Sequence, residues 1–200
     1  MRRILIGLIL CSFFAAGTAF GFTGTSFSEL KELAVKGDAS AMAKLGVMHS
    51  TGVGAEKNKE EAFNWYKKSA EAGYPNGQWN LAFMYARGEG VEKNLILARM
   101  WFRKAAEQGF PNAQYDLGMM YLEGVGMEKN PAMGGKWIGK AAEQGYREAQ
   151  YALGMMYLNG FGKEKDRAQA LAWIEKAAKG GHSEASETLK TLQEGATAAK

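Results

Sequence analysis

The sequence predicts an all-α protein, a solenoid of four 36-residue helical hairpins closed by a half-unit at each end. Leu45, Leu81, Leu117, Leu153 and Leu189 recur at one constant interval, and Trp65, Trp101, Trp137 and Trp173 recur at the same interval. A fixed period of roughly 20 to 50 residues is the mark of a repeat architecture. Within each period the apolar residues fall into helical phase twice. Only 3 Pro accompany 26 Gly, so the chain reverses at glycine and its regular segments run with few interruptions. The hydrophobic content of 46% and charged content of 23% are those of a folded domain and exclude a disordered or collagen-like chain.

Residues 1–19 read as a secretory leader. Arg2 and Arg3 precede an apolar run from Ile4 to Ala16, and the small residues Gly17, Thr18 and Ala19 follow. Cleavage is expected after Ala19, with Gly21 as the second choice. The run is shorter than the ~20 apolar residues of a spanning helix, so no transmembrane segment is expected in the mature chain. A periplasmic or secreted location follows. Cys11, the single cysteine, lies inside that run and leaves with it, so no disulfide is expected. Loss of Arg2 and Arg3 brings the 25 basic and 21 acidic residues near balance. Lys67, Lys68, Arg103, Lys104, Lys136 and Lys140 share a helical face with Glu71, Glu107 and Glu143, which reads as a solvated surface rather than a nucleic-acid stripe.

Residues 20–37 form a linker and an N-terminal capping helix. Leu30 to Lys36 aligns with the second helix of a unit, and Ser26 with Glu29 is placed as a capping box. The four units occupy 38–181. In each, a first helix carries the stripe Ala41, Leu45, Met48 and His49, with Tyr85, Tyr121 and Tyr157 in place of the histidine later. A second helix carries Ala62, Trp65, Tyr66, Ser69 and Ala70. The Gly52-Val53-Gly54 turn and its copies between them leave room only for a tight antiparallel reversal. Asn58, Asn94, Asn130 and Asp166 stand as N-caps, Pro131 at a first helical position, and Gly73, Gly109 and Gly145 where a left-handed residue ends a helix. Small residues at Gly46, Ala82, Gly118 and Gly154 permit close helix approach. Residues 182–200 supply a C-terminal capping helix, with Glu184 to Glu194 aligned to a first helix, and a tail. A lone hairpin cannot bury its stripe, so the units must stack.

The segment Ala113-Gln114-Tyr115-Asp116-Leu117-Gly118-Met119-Met120-Tyr121, the Gly124-Val125-Gly126 turn, and Trp137 with Lys140-Ala141-Ala142-Glu143-Gln144-Gly145 resemble the Sel1-like repeat (SLR) family, a relative of the tetratricopeptide repeats. The likeness covers about Asp38 to Leu192. Unit one departs with His49 for tyrosine and Ser69 for alanine, and unit three with Gly134 for alanine. The resemblance implies a right-handed α/α superhelix and a scaffold or adaptor role, with the first helices lining the concave side.

Opposite the core stripe of the first helices, three positions per unit would be polar if only water met them. They read Ala43, Val47, Ser50; Trp79, Phe83, Ala86; Tyr115, Met119, Leu122; and Tyr151, Met155, Leu158. Only Ser50 is polar. A helix apolar on both faces is covered on both or presents an accessible patch. Trp79, Phe83 and Met119 are favoured as binding residues, whereas Tyr115 and Tyr151 fit packing between neighbouring helices equally well. Arg87, Glu123 and Asn159 follow at the rim. The expected partner is a protein or peptide held in this groove by a monomer, with end-to-end association through incomplete caps as a further option.

Catalysis is not expected. The only histidines, His49 and His182, lie at opposite ends of the array, no ligand set has metal spacing, and neither cofactor nor metal is implied. Ser28-Glu29-Leu30-Lys31 matches the serine-lysine signature of penicillin-recognising enzymes without its companion motifs. The functional expectation is thus a non-catalytic interaction scaffold in the bacterial envelope. An immunity protein against an envelope-acting toxin is the alternative, and a β-lactam or cell-wall enzyme the third class. Gly134, Gly135 and Gly139 fall within one second helix, each at roughly 0.5–1 kcal/mol relative to alanine. Amide exchange is therefore expected to be faster across Met133 to Gly139 than across Ala170 to Lys176; equal protection would show that the glycines do not weaken the helix.

Overall fold

The computed structural model describes residues 26–198. The leader, Cys11 and the start of the linker lie outside the described residues. Ten helices and no strands occur among those described: α1 (Phe27–Val35), α2 (Ala39–Thr51), α3 (Lys59–Glu71), α4 (Pro75–Arg87), α5 (Leu95–Glu107), α6 (Pro111–Glu123), α7 (Pro131–Glu143), α8 (Arg147–Asn159), α9 (Arg167–Lys179) and α10 (Ser183–Ala198). Helices α2 to α9 form four hairpins, α1 stands as a second helix before them, and α10 as a first helix after them. Each helix packs on its chain neighbours, and α2 also touches α4 directly. The result is the α/α solenoid expected from the period.

The caps are those the residue types predict. Ser26 accepts from the Glu29 amide while the Glu29 carboxylate accepts from the Ser26 amide, so α1 begins three residues before Leu30. The Asn58, Asn94 and Asn130 side chains and that of Asp166 accept amides of the first turns of α3, α5, α7 and α9. In the Gly-x-Gly turns the first glycine ends a first helix at positive φ, as at Gly88. The second glycine does something else. A Cβ on Gly90 would strike the backbone of Lys59 and Glu60, where α3 of the preceding unit begins, and Gly162 meets Pro131 in the same way. The turn therefore fixes how closely one unit seats on the one before.

Leu45, Leu81 and Leu117 are fully buried, as are Ile138 and Ile174 on second helices. Two recurring polar devices lie outside the apolar stripes. Gln78, Gln114 and Gln150 each donate to the carbonyl of an alanine (Ala70, Ala106 and Ala142) at 3.1–3.3 Å. Gln108 and Gln144, just past the second helix of the same unit, donate to the Gln78 and Gln114 side chains at 2.8 and 2.7 Å. This ladder satisfies helix-end carbonyls where units meet. Three of the four repeating tryptophans are surface-edge residues, whereas Trp137 is buried in the core. Trp65, Trp101 and Trp173 are half-buried, and Lys68, Lys104, Lys140 and Lys176 lie over the four indoles at 3.9–4.4 Å from the ring centroid. Lys68, Lys104 and Lys140 belong to the face read as solvated, and each of the four lysines shields one side of an indole as a cation–π partner.

Departures from the repeat are compensated locally. Ser69 is fully buried and donates to the Ala39 carbonyl at 2.6 Å. It fits because the facing residue is Gly77, whose Cβ would collide with the Ser69 side chain. In α7, a Cβ on Gly134 would come within 2.5 Å of Leu122, and one on Gly135 within 3.0 Å of Met156, so these glycines are sites of close packing. Gly139 has nothing within 4 Å of a Cβ. Gly139→Ala is therefore expected to stabilise the protein by roughly 0.5–1 kcal/mol, and Gly77→Ala to destabilise it by about 1–3 kcal/mol. Denaturant melts check both signs, and Ser69→Ala should relieve much of the Gly77→Ala loss.

Candidate groove on the first helices

The face of α2, α4, α6 and α8 opposite the core stripe is neither sealed nor fully open. Trp79, Phe83, Met119, Leu122, Tyr151, Met155 and Leu158 are all half-buried, and Arg87, Glu123 and Asn159 are exposed beside them. Tyr115 is buried at 9% exposure and packs edge-on against Tyr146 at 5.5 Å, so it supports the groove from beneath. Asn159 folds back to donate to the Met155 carbonyl at 2.9 Å. Tyr151 lies 4.6 Å from the His182 ring, with its hydroxyl 3.1 Å from that of Thr188.

Three of the sequence-predicted residues meet in a pocket of about 240 Å³. Trp79, Phe83 and Arg87 line it with Tyr66, Tyr146 and Asp116, and Lys57, Lys59 and Glu89 flank them. Met119, Leu122, Tyr151, Met155, Leu158 and Asn159 lie further along the face and do not line it. Phe83 is held edge-on between Trp79 (4.8 Å) and Phe102 (5.1 Å), with the Arg87 guanidinium 5.4 Å from its ring centre. Glu89 pairs with Lys59 at 3.4 Å and with Arg87 at 3.9 Å.

Asp116 is the residue that sequence reasoning missed. Its carboxylate accepts the Trp79 indole N–H at 2.7 Å and ties α6 to α4. The numbering carries a trace of it, because Trp79 to Asp116 and Tyr151 to Thr188 are both one period plus one residue, but only the packing of adjacent first helices gives that offset a meaning. On this face, a groove position of one unit meets the following position of the next. Burial pushes the Asp116 carboxyl up to about 7, against the opposing pull of the Trp79 hydrogen bond and the Arg87 charge. Burial likewise raises the Tyr66 phenol to about 12, partly offset by the Ser50 hydroxyl at 3.3 Å. The Glu123 carboxyl is also held above its ordinary range by burial, with Lys129 acting the other way.

His49 and His182 remain far apart in the fold. His49 packs edge-on with Phe27 at 5.7 Å, its Nδ1 3.1 Å from the Glu56 carbonyl. His182 accepts the Ala185 amide through Nδ1 at 3.2 Å, as a helix cap does. Ser28 lies on capping helix α1, its hydroxyl 2.9 Å from that of Ser26. No group of three or more His, Cys, Asp or Glu capable of holding a metal occurs among the described residues. No helix among them is long and apolar enough to cross a membrane.

Stacked helical hairpins with a half-buried apolar face on their first helices define an α/α repeat solenoid. The chain belongs to the Sel1 repeat family, whose model matches residues 39–74, 75–110, 111–146 and 147–182, one hairpin each. A Sel1 repeat protein from Oxalobacter formigenes is similar at 38% identity and a TM-score of 0.77, over 83% of this chain and 48% of that one. A protective antigen of uropathogenic Escherichia coli strains with an SLR fold is similar at 35% identity and a TM-score of 0.79, over 86% of this chain and 37% of that one. This chain thus spans half or less of either protein. An immunity protein from Pseudomonas aeruginosa is similar at 28% identity and a TM-score of 0.55, over 80% of this chain and 59% of that one. No curated protein matches the chain. The Sel1-repeat fold is a scaffold typical of protein–protein interaction.

The Asp116 environment sets a pH dependence with a definite sign. A carboxyl raised in the folded state favours folding when protonated. That contribution is complete below the ordinary carboxylate range near pH 4 and is lost as pH rises through about 7. Between about pH 5 and 8 the wild type should lose up to about 3 kcal/mol relative to Asp116→Asn, which retains an acceptor for Trp79. Urea midpoints of both proteins at the two pH values measure this. Parallel pH dependence would show that the carboxyl titrates in its ordinary range.

Proposed function

We propose that this chain is a non-catalytic interaction scaffold of the bacterial envelope that holds a protein or peptide segment along the inner face of its first helices. The observation that carries the reading is the row of half-buried apolar side chains running from Phe83 through Met119 to Met155, opening beside Trp79 into the 240 Å³ pocket. Each first helix buries its other face in the stack, while this row packs on the core beneath it and keeps part of its apolar surface accessible. Aromatic side chains offer large contact area at low entropy cost, and methionine adapts to irregular surfaces. The envelope location is supported by the leader-like layout of residues 1–19.

A second reading has its own support. Two immunity proteins of Pseudomonas aeruginosa resemble this chain at 28% and 26% identity, each with a TM-score of 0.55 over 80% of it. Under that reading the occupant of the groove is an envelope-acting toxin, and binding abolishes its toxicity.

Trp79 also braces α6 through Asp116, so its removal would confuse binding with stability. The test is capture of partners from envelope extract by the wild type and by a Phe83→Ala, Met119→Ala, Met155→Ala variant shown by circular dichroism to remain folded. Loss of the partner with the variant, by about tenfold or more, is expected. A partner retained equally by both would move the site to the outer face or to the ends of the stack.

A further inference from the structure

The α4 pocket collects departures from the repeat. Ser50 stands where later units have alanine or leucine, Tyr66 where they have phenylalanine or isoleucine, and Glu89 where the other turns have valine or phenylalanine. Asp116 takes the position held elsewhere by Lys44, Asn80 and Ala152. These four side chains line one cavity of about 240 Å³, together with the rings of Trp79, Phe83 and Tyr146. Most of its polar atoms are already engaged. The Tyr66 and Ser50 hydroxyls lie 3.3 Å apart, and Ser50 donates to the Val47 carbonyl at 2.9 Å. Glu89 holds both Lys59 and Arg87, and the Arg87 guanidinium also sits over the Phe83 ring. The Asp116 carboxylate is the exception. Its Oδ2 accepts the Trp79 indole N–H, whereas its Oδ1 has no hydrogen-bond or ion-pair partner among the described residues.

Resting on the groove reading above, we propose that this pocket receives a single basic side chain, lysine or arginine, projecting from the segment in the groove, with its charged group on Asp116 Oδ1 and its methylenes against the aromatic rings. Size points to one side chain, because the cavity is smaller than the roughly 300–1,000 Å³ of sites for drug-sized ligands. Chemistry selects a cation. A half-buried carboxylate with an open lone pair is an acceptor for a charge-assisted hydrogen bond, and aromatic rings attract a cation within about 6 Å of their centroids. Phe83 already does so with Arg87. The cations around the rim do not reverse the choice. Arg87 and Lys59 share Glu89, and Lys57 occupies a position that is lysine in all four units. All three are exposed, so water and salt screen their repulsion, whereas attraction to the less exposed carboxylate at contact distance is screened least. An acidic side chain would meet the reverse, paired cations outside and an unpaired carboxylate within.

The test uses three acetylated and amidated hexapeptides of alanine and serine that differ at one central residue, which is lysine, norleucine or glutamate. Each is titrated into the isotope-labelled chain while the Trp79 indole proton signal, identified by its loss in Trp79→Phe, is followed by nuclear magnetic resonance. Work at about pH 8 keeps the Asp116 carboxyl, raised to about 7, mostly ionised. The lysine peptide should shift that signal with at least tenfold tighter binding than the norleucine peptide, and the glutamate peptide should bind more weakly than either. Asp116→Asn, which keeps an acceptor for the indole, should erase the lysine margin. Equal affinity for lysine and norleucine, tighter binding of glutamate, or a lysine margin that survives Asp116→Asn would each overturn the assignment, and so would binding of none of the three. Partner capture decides the groove reading separately. A partner held by Asp116→Asn as firmly as by the wild type, and lost with the Phe83→Ala, Met119→Ala, Met155→Ala variant, overturns the cation site and leaves the groove standing.

Discussion

Every feature of this molecule depends on one constraint: a two-helix hairpin has no interior of its own. Leu45, Leu81 and Leu117 reach full burial because each lies on a first helix covered by the second helices before and after it. Helices paired this way require the same separation at every step, and the sequence meets that demand with small residues. Gly46, Gly118 and Gly154 let Tyr66, Ile138 and Ile174 approach to distances that a Cβ would block, while the second glycine of the turn seats the next unit on the backbone of the last. The period in the sequence is thus the record of a packing distance that has to be met again and again.

The same constraint creates the groove. First helices spend one face on the stack and are left with another that the chain itself covers only in part. Tyr115 shows how that covering happens: Tyr146, from the end of the same unit, lies against it and removes it from contact with solvent. Trp79 meets the equivalent ring, Phe110, at 5.9 Å and still stays half-buried, as do Phe83 and Met119. Burial therefore varies along a face whose helix positions are nearly uniform.

The parts of the structure that depend on local rules were legible in the sequence. N-caps, helix ends, the capping box at Ser26 and the assignment of core and groove faces all follow from residue type and helical phase within one unit. The parts that depend on contacts between units were not. The Gln78–Ala70 bond and the Trp79–Asp116 tie each join neighbouring units through the way the hairpins lean together, and period counting does not supply that. The offset of one period plus one residue was present in the numbering. It acquires meaning only once two first helices are known to face each other along that diagonal.

Variation between units is where a repeat protein departs from a uniform rod, and here the variation is paired. Ser69 would be crowded by an alanine at position 77 and meets a glycine; Leu122 leans into the space left by Gly134. Trp79 brings an indole N–H to the inner face, and Asp116 brings the acceptor that satisfies it. Each substitution alone would cost stability, through a clash or through a buried polar group left unsatisfied, and each pair removes that cost. The first two pairs keep the stack intact. The third does more, because a carboxyl drawn into the back of a pocket lined by Phe83 and bordered by Lys57 and Lys59 sets both its shape and its field. A scaffold built from near-identical units has acquired one place unlike the rest.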